Sequence, residues 1–194
     1  ASADKTLKLW DLEQGRELAT LSGHSSGVLA VAIAPDGKRA VSASADYTLK
    51  LWDLEQGREL ATLSGHSYWV NAVAIAPDGK RAVSASDDET LKLWDLEQGR
   101  ELATLSGHSS YVRAVAIAPD GKRAVSASED NTLKLWDLEQ GRELATLSGH
   151  SHWVTAVAIA PDGKRAVSAS ADYTLKLWDL EQGRELATLS GHSG

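Results

Sequence analysis

Along this chain the hydrophobic and polar positions follow a two-residue rhythm, broken at short and regular intervals by turn residues. In the stretch 23–64 the run Val28 to Ala34 is apolar and rich in β-branched residues, and Pro35-Asp36-Gly37 closes it. Proline pre-sets φ and glycine supplies the left-handed conformation a tight turn needs, so the run is predicted as a strand, a, that enters a hairpin. Ala40 to Ser44 is a second strand, b, of small residues suited to close packing, and Asp46 falls in the next turn. Thr48 to Leu54 alternates bulky and polar residues as strand c. Glu55-Gln56-Gly57 then turns the chain into Glu59 to Leu63, a more polar strand d. Four short antiparallel strands make one small twisted sheet.

The unit recurs every 42 residues, in complete copies at 23–64, 65–106, 107–148 and 149–190, and 37 of the 42 positions are identical in all four. Residues 1–22 supply strands c and d alone, and residues 191–194 open a further copy, so the 194 residues hold about 4.6 repeats. A sheet this small has two faces and cannot bury them by itself, so neighbouring copies must stack. No copy contains a capped, helix-length segment of period 3.6, which disfavours a helical solenoid. The expected fold class is all-β, with four-stranded antiparallel blades stacked radially as a propeller.

Composition narrows the function. With 42% hydrophobic and 24% charged residues the chain has the balance of a globular protein. Its net charge is -7 with the cations spread evenly through the repeats, so the electrostatic basis for nucleic-acid binding is missing. There is no cysteine, which excludes disulfides and thiolate chemistry, and no cofactor or metal motif is present. No apolar run approaches the roughly 20 residues needed to cross a bilayer, and the first residues show no signal-peptide pattern, so no membrane association and a cytoplasmic location are expected.

The succession Gly-His, V-x-x-V-x-I, Pro-Asp-Gly, S-x-S-x-D-x-T and Leu-Trp-Asp, at this spacing, resembles the WD40 family of β-propellers over the whole chain. The resemblance implies a hydrogen-bonded tetrad in each blade, mapping onto His24, Asp46 and Trp52 with Ser42 or Ser44. The counterparts are His66, Asp88 and Trp94 with Ser84 or Ser86; His108, Asp130 and Trp136 with Ser126 or Ser128; and His150, Asp172 and Trp178 with Ser168 or Ser170. Serine, histidine and aspartate together also suggest hydrolase chemistry, but a catalyst needs one activated nucleophile with its oxyanion hole, whereas this set recurs in every complete copy. A structural role and no enzymatic activity are expected. The family often has phenylalanine where this chain has Ile33, Ile75, Ile117 and Ile159, and its core is expected to rest on Val, Leu, Ala and Trp.

The five variable columns are Ser26, Tyr68, Ser110, His152; Gly27, Trp69, Tyr111, Trp153; Leu29, Asn71, Arg113, Thr155; Ala45, Asp87, Glu129, Ala171; and Tyr47, Glu89, Asn131, Tyr173. The first three lie after Gly-His and at the start of strand a, and the other two flank the turn aspartate. In a WD40-type propeller these segments meet on one face. All four tyrosines and both tryptophans outside the Trp-Asp ladder occupy these columns, beside adaptable polar groups, which is the chemistry of recognition surfaces. Drift at tolerant loop sites would also have changed the exposed Glu55, Gln56, Arg58 and Glu59, which are constant. Near-identical repeats with a few hypervariable sites resemble the WD40 sensor regions of bacterial and fungal NTPase-coupled recognition proteins, and a gene assembled from one consensus unit would look the same.

The expected function is therefore a non-catalytic scaffold that binds an unknown protein or peptide through its variable face, with Tyr47, Tyr68, Trp69, Asn71, Asp87, Glu89, Tyr111, Arg113, Glu129, Asn131, His152, Trp153, Thr155 and Tyr173 as contacts. The alternative is a recently amplified or engineered propeller fragment whose one activity is self-assembly. In either case, four complete copies make a cramped ring with exposed strand edges, so a homodimer closing a ring of eight or nine blades is expected.

Overall fold

The computed structural model describes residues 2–191 and contains eighteen strands and no helix among them. The first two strands, β1 (Thr6–Asp11) and β2 (Arg16–Ser22), form a two-stranded sheet. Four four-stranded antiparallel sheets follow. The first consists of β3 (Val28–Ile33), β4 (Arg39–Ser44), β5 (Thr48–Asp53) and β6 (Arg58–Ser64), and the second of β7 (Val70–Ile75), β8 (Arg81–Ser86), β9 (Thr90–Asp95) and β10 (Arg100–Ser106). The third is built from β11 (Val112–Ile117), β12 (Arg123–Ser128), β13 (Thr132–Asp137) and β14 (Arg142–Ser148). The fourth is built from β15 (Val154–Ile159), β16 (Arg165–Ser170), β17 (Thr174–Asp179) and β18 (Arg184–Ser190). Each of these four sheets runs a, b, c, d in simple meander order, and the a strands β3, β7, β11 and β15 neighbour one another along the series. His192, placed by the sequence in a further Gly-His loop, lies outside the described residues.

The hairpin turns follow from the residues that make them. Gly37 and Gly57 adopt φ of 70° and 63°, where a side chain would be strained, and the Gly37 N–H donates to the Ala34 carbonyl at 2.8 Å. In the c–d turn Asp53 accepts from the N–H groups of Glu55 and Gln56, both at 2.9 Å, a local bond that aspartate is suited to make.

The core lies between sheets. Val41, Ala43, Leu49, Leu51 and Leu63 of the first blade pack against Val70, Ala82, Trp94 and Leu96 of the second, and the same nine positions recur at the next two junctions. The β1–β2 hairpin meets the first blade through a smaller cluster of Leu7, Leu21, Val28 and Trp52. Nothing there corresponds to Val41 and Ala43, because that sheet contains no b strand. A cleft of about 90 Å³, lined by residues that include Leu7, Leu9, Leu21, Val31 and Ile33, marks the place, and Ile33 is 61% exposed.

Candidate functional site

Two loops of each blade converge at one end: the segment joining strand d to the next strand a, and the b–c turn. Backbone bonds tie them, Ala45 N–H to Gly27 carbonyl at 2.9 Å, and Asp87 N–H to Trp69 carbonyl at 2.9 Å. Beneath them lies a polar chain. In the first blade the Trp52 indole N–H donates to Ser42 Oγ at 2.8 Å, Ser42 Oγ lies 2.7 Å from His24 Nε2, and His24 Nδ1 lies 2.7 Å from Asp46 Oδ2. With a neutral imidazole carrying its proton on Nδ1, each link has one donor and one acceptor: indole to hydroxyl, hydroxyl to Nε2, Nδ1–H to carboxylate. Asp46 also accepts from the Ser25 N–H at 2.9 Å and from the Thr48 N–H and hydroxyl at 3.0 and 2.7 Å. The chain thus pins the d–a loop to strands b and c. It repeats in the other three blades through Ser84, Ser126 and Ser168.

Of the two serines left open by the sequence, the indole and imidazole bonds run through Ser42 and its counterparts. Ser44 is equally buried but performs a second task. Its hydroxyl donates to the Gly27 carbonyl at 2.9 Å and accepts from the Asp46 N–H at 3.1 Å, joining the two variable loops directly. Trp10 and Asp4 have no such serine or histidine, and Trp10 is 49% exposed where Trp52 is 1%.

Burial disfavours the charged form of Asp46, yet the bonds from Thr48, Ser25 and His24 outweigh it and lower its pKa to about 2. Asp88, Asp130 and Asp172 are lowered further, against the same burial penalty and by the same kinds of donor. A depressed folded-state pKa contributes stability that is present above the unfolded value near 3.8 and is lost as pH falls through the folded one. Between pH 4 and about 2 the midpoint of urea unfolding is therefore expected to drop steeply; a flat profile over that interval would mean that these carboxylates are not held as described.

The variable residues fall into two groups on this edge. Tyr47, Tyr68 and Tyr111 form a row across three blades, with ring centroids 5.6 and 6.4 Å apart and planes within 17° and 12° of parallel. Trp69 leans on Tyr68 at 6.3 Å, and all four rings are 39–46% exposed. In the fourth blade His152 and Trp153 meet edge to face at 5.1 Å, and Tyr173 stands open at 57% exposure. Thr155 donates only to the Ala169 carbonyl, at 3.3 Å.

The second group is an internal network. Asn71 donates to Asp87 at 2.6 Å and to the Val112 carbonyl at 3.0 Å, and Arg113 bridges Asp87 at 2.9 Å and Glu129 at 2.7 Å while lying 5.2 Å from the Tyr111 ring. The sequence carried a signal for it. The two columns vary together: Asn71 with Asp87 and Arg113 with Glu129, but Leu29 and Thr155 with Ala45 and Ala171. Glu89 and Asn131 occupy the remaining column, whose five members including Lys5 all have positive φ, between 65° and 74°. Glu59 needs a correction: it is half-buried and bound to Lys50 at 2.8 Å, so packing holds it constant, whereas Glu55, Gln56 and Arg58 are exposed.

The left-handed conformation is costly for a tyrosine and tolerable for asparagine. Tyr173→Asn, at the most exposed of the four tyrosines, is expected to raise stability by about 0.5–1 kcal/mol in urea titrations. No gain would mean that the turn is unstrained.

The family described as "WD domain, G-beta repeat" matches residues 15–53, 57–95, 99–137 and 141–179. Among curated proteins, "Nuclear distribution protein PAC1-2" of Postia placenta is 46% identical over 37 residues. That stretch is 19% of this chain, and the chain spans only 9% of the fungal protein.

Proposed function

Because the chain belongs to the WD-domain G-beta repeat family, we propose that it is a non-catalytic scaffold that captures a protein or peptide on its variable edge. Repeats of this family are in general protein-interaction modules. The observation that carries the proposal is the half-exposed aromatic row Tyr47, Tyr68 and Tyr111 with Trp69, assembled from three blades at the columns where the copies differ. Large rigid rings give contact area at low entropic cost, and a backbone strained beneath Tyr47 and Tyr173 fits positions kept for something other than stability. Asn71, Asp87, Arg113 and Glu129 shape that surface by holding one another. Asn131, His152, Trp153 and Thr155 extend it.

The scaffold is completed by a second copy of the chain in a ring of eight or nine blades. The unpaired edge of β1 and the exposed Ile33 support this. Replacing Tyr47, Tyr68, Trp69 and Tyr111 together by serine is expected to weaken capture of a library-selected peptide by at least about 100-fold at unchanged oligomer size, measured by calorimetry. Equal binding by parent and variant would overturn the recognition role and favour self-assembly as the one activity.

A further inference from the structure

The net charge of -7 is unevenly placed. In each complete repeat Lys38, Arg39, Lys50 and Arg58 and their counterparts are matched one for one by Asp36, Asp53, Glu55 and Glu59 and theirs, leaving Asp46 and its equivalents uncompensated. Those four aspartates, with Asp87, Glu89 and Glu129 set against Arg113, supply six of the seven net negative charges. All eight side chains belong to the d–a loops, b–c turns and first strand residues of the variable edge. Hydrogen bonds keep these aspartates ionised: Asp46 accepts from the Thr48 hydroxyl, the Ser25 N–H and the His24 ring, and its counterparts accept from the same kinds of donor. Glu89 is exposed and forms no ion pair among the described residues.

The aromatic row crosses this acidic edge. Aromatic faces are the negative pole of the ring quadrupole and attract cations. The molecule contains an example of the arrangement: the Arg113 guanidinium lies 5.2 Å from the Tyr111 ring and between the carboxylates of Asp87 and Glu129. Tyr47, Tyr68 and Trp69 have half-exposed rings on the same edge and, among the described residues, no guanidinium over them.

From this we infer that the aromatic row binds an extended polypeptide segment bearing arginine or lysine side chains, which stack on Tyr47, Tyr68 and Trp69 within the field of the surrounding carboxylates. The inference rests on the variable edge being the recognition surface and adds the chemistry of what it recognises. Arginine is preferred to lysine, because a planar guanidinium can stack on a ring and present its fork to a carboxylate at once, as Arg113 does with Tyr111, Asp87 and Glu129. Anionic partners, nucleic acid among them, are repelled by the same charges.

The test uses the full chain with four capped peptides of about a dozen residues, alternating glycine with arginine, lysine, serine or glutamate, at an ionic strength of about 0.15 M, where only short-range attraction survives. Fluorescence anisotropy is expected to rank them arginine, then lysine, with serine and glutamate far weaker. Tyr47→Ser with Tyr68→Ser, exposed substitutions that leave the charge unchanged, is expected to weaken the arginine peptide by about fivefold or more. Circular dichroism and oligomer size should match the parent. Binding of the serine or glutamate peptide as tight as that of the arginine peptide would overturn the inference, and so would a double variant that binds arginine unchanged, since attraction would then be charge alone. A random library separates the two levels. Selection of neutral or acidic sequences that depend on the same tyrosines would sink the cationic partner and keep the recognition surface; no binder of any composition would sink both.

Discussion

Trp136→Ala is expected to destabilise the chain by about 3–5 kcal/mol, the range for deleting a large aromatic from a packed core. Its indole is 1% exposed and sits at the junction with the preceding blade, in one cluster with Val83, Leu91 and Leu105. The substitution opens that cavity and removes the donor to Ser126 Oγ at 2.8 Å. Ser126→Ala acts on the same chain from its middle. Both the Trp136 N–H and His108 Nε2 lose their partner, a cost of about 1–3 kcal/mol for each buried group left unpaired. Because interfaces between blades recur and each blade touches only its neighbours, the loss should appear as a lower urea midpoint that begins in the third blade. Protection of its amides against hydrogen exchange should fall before that of the second blade. The control lies in the chain: Trp10 occupies the same repeat position but is 49% exposed and has no serine beneath it, so Trp10→Ala in dilute, monomeric chain should cost less than about 1 kcal/mol. Equal costs at both positions would show that burial between blades is not what these tryptophans provide.

That contrast also explains what could be read from the sequence. Strand positions were legible within one or two residues because Pro-Asp-Gly and Glu-Gln-Gly are local signals that need no neighbour; β4 starts at Arg39 where small residues suggested Ala40. The serine of the tetrad was not legible. Ser42 and Ser44 are two residues apart on one strand and so share a face, and periodicity cannot separate them. What separates them is depth along the strand: Ser42 lies opposite Lys50 and within reach of the Trp52 indole, whereas Ser44 lies opposite Val28 at the loop end. The constant Glu59 misled for a related reason. A polar outer strand looks solvated, and only the cross-strand salt bridge to Lys50, itself buried beside the Trp52 ring, shows why the pair does not vary. On the variable edge, the aromatic columns announced a recognition surface, but their stacking in one row depends on how far each blade is rotated from the next, which no single repeat encodes.

If two copies close a ring as proposed, removal of residues 1–22 is expected to abolish their association, shifting the dissociation constant by at least about 100-fold, or about 2.7 kcal/mol. In each complete blade strand c pairs with strand b in a fixed register, Trp52 opposite Ala40 and Leu51 opposite Val41. Strand β1 repeats Thr-Leu-Lys-Leu-Trp-Asp and has that edge free. The hairpin β1–β2 can therefore take the place of β17–β18 on the last a–b pair of a second chain, setting Trp10 opposite Ala166 and its indole N–H on Ser168. The exchange is nearly isoenergetic for the two hairpins, because Thr6 to Ser22 and Thr174 to Ser190 are identical. The driving force is elsewhere: in the proposed ring, closure covers Val31 and Ile33, 44% and 61% exposed, so that roughly half of the ~1.5–3 kcal/mol for complete burial of such a side chain remains to be gained at each, and it removes free strand edges. Truncation deletes the element that connects the two chains while leaving blades two to four and their junctions untouched. Light scattering at about 50 μM should give twice the chain mass for the parent and the single-chain mass for the truncated form. A parent that stays monomeric, or a truncated chain that still dimerises with equal affinity, would show that the open half-blade is not where two copies meet.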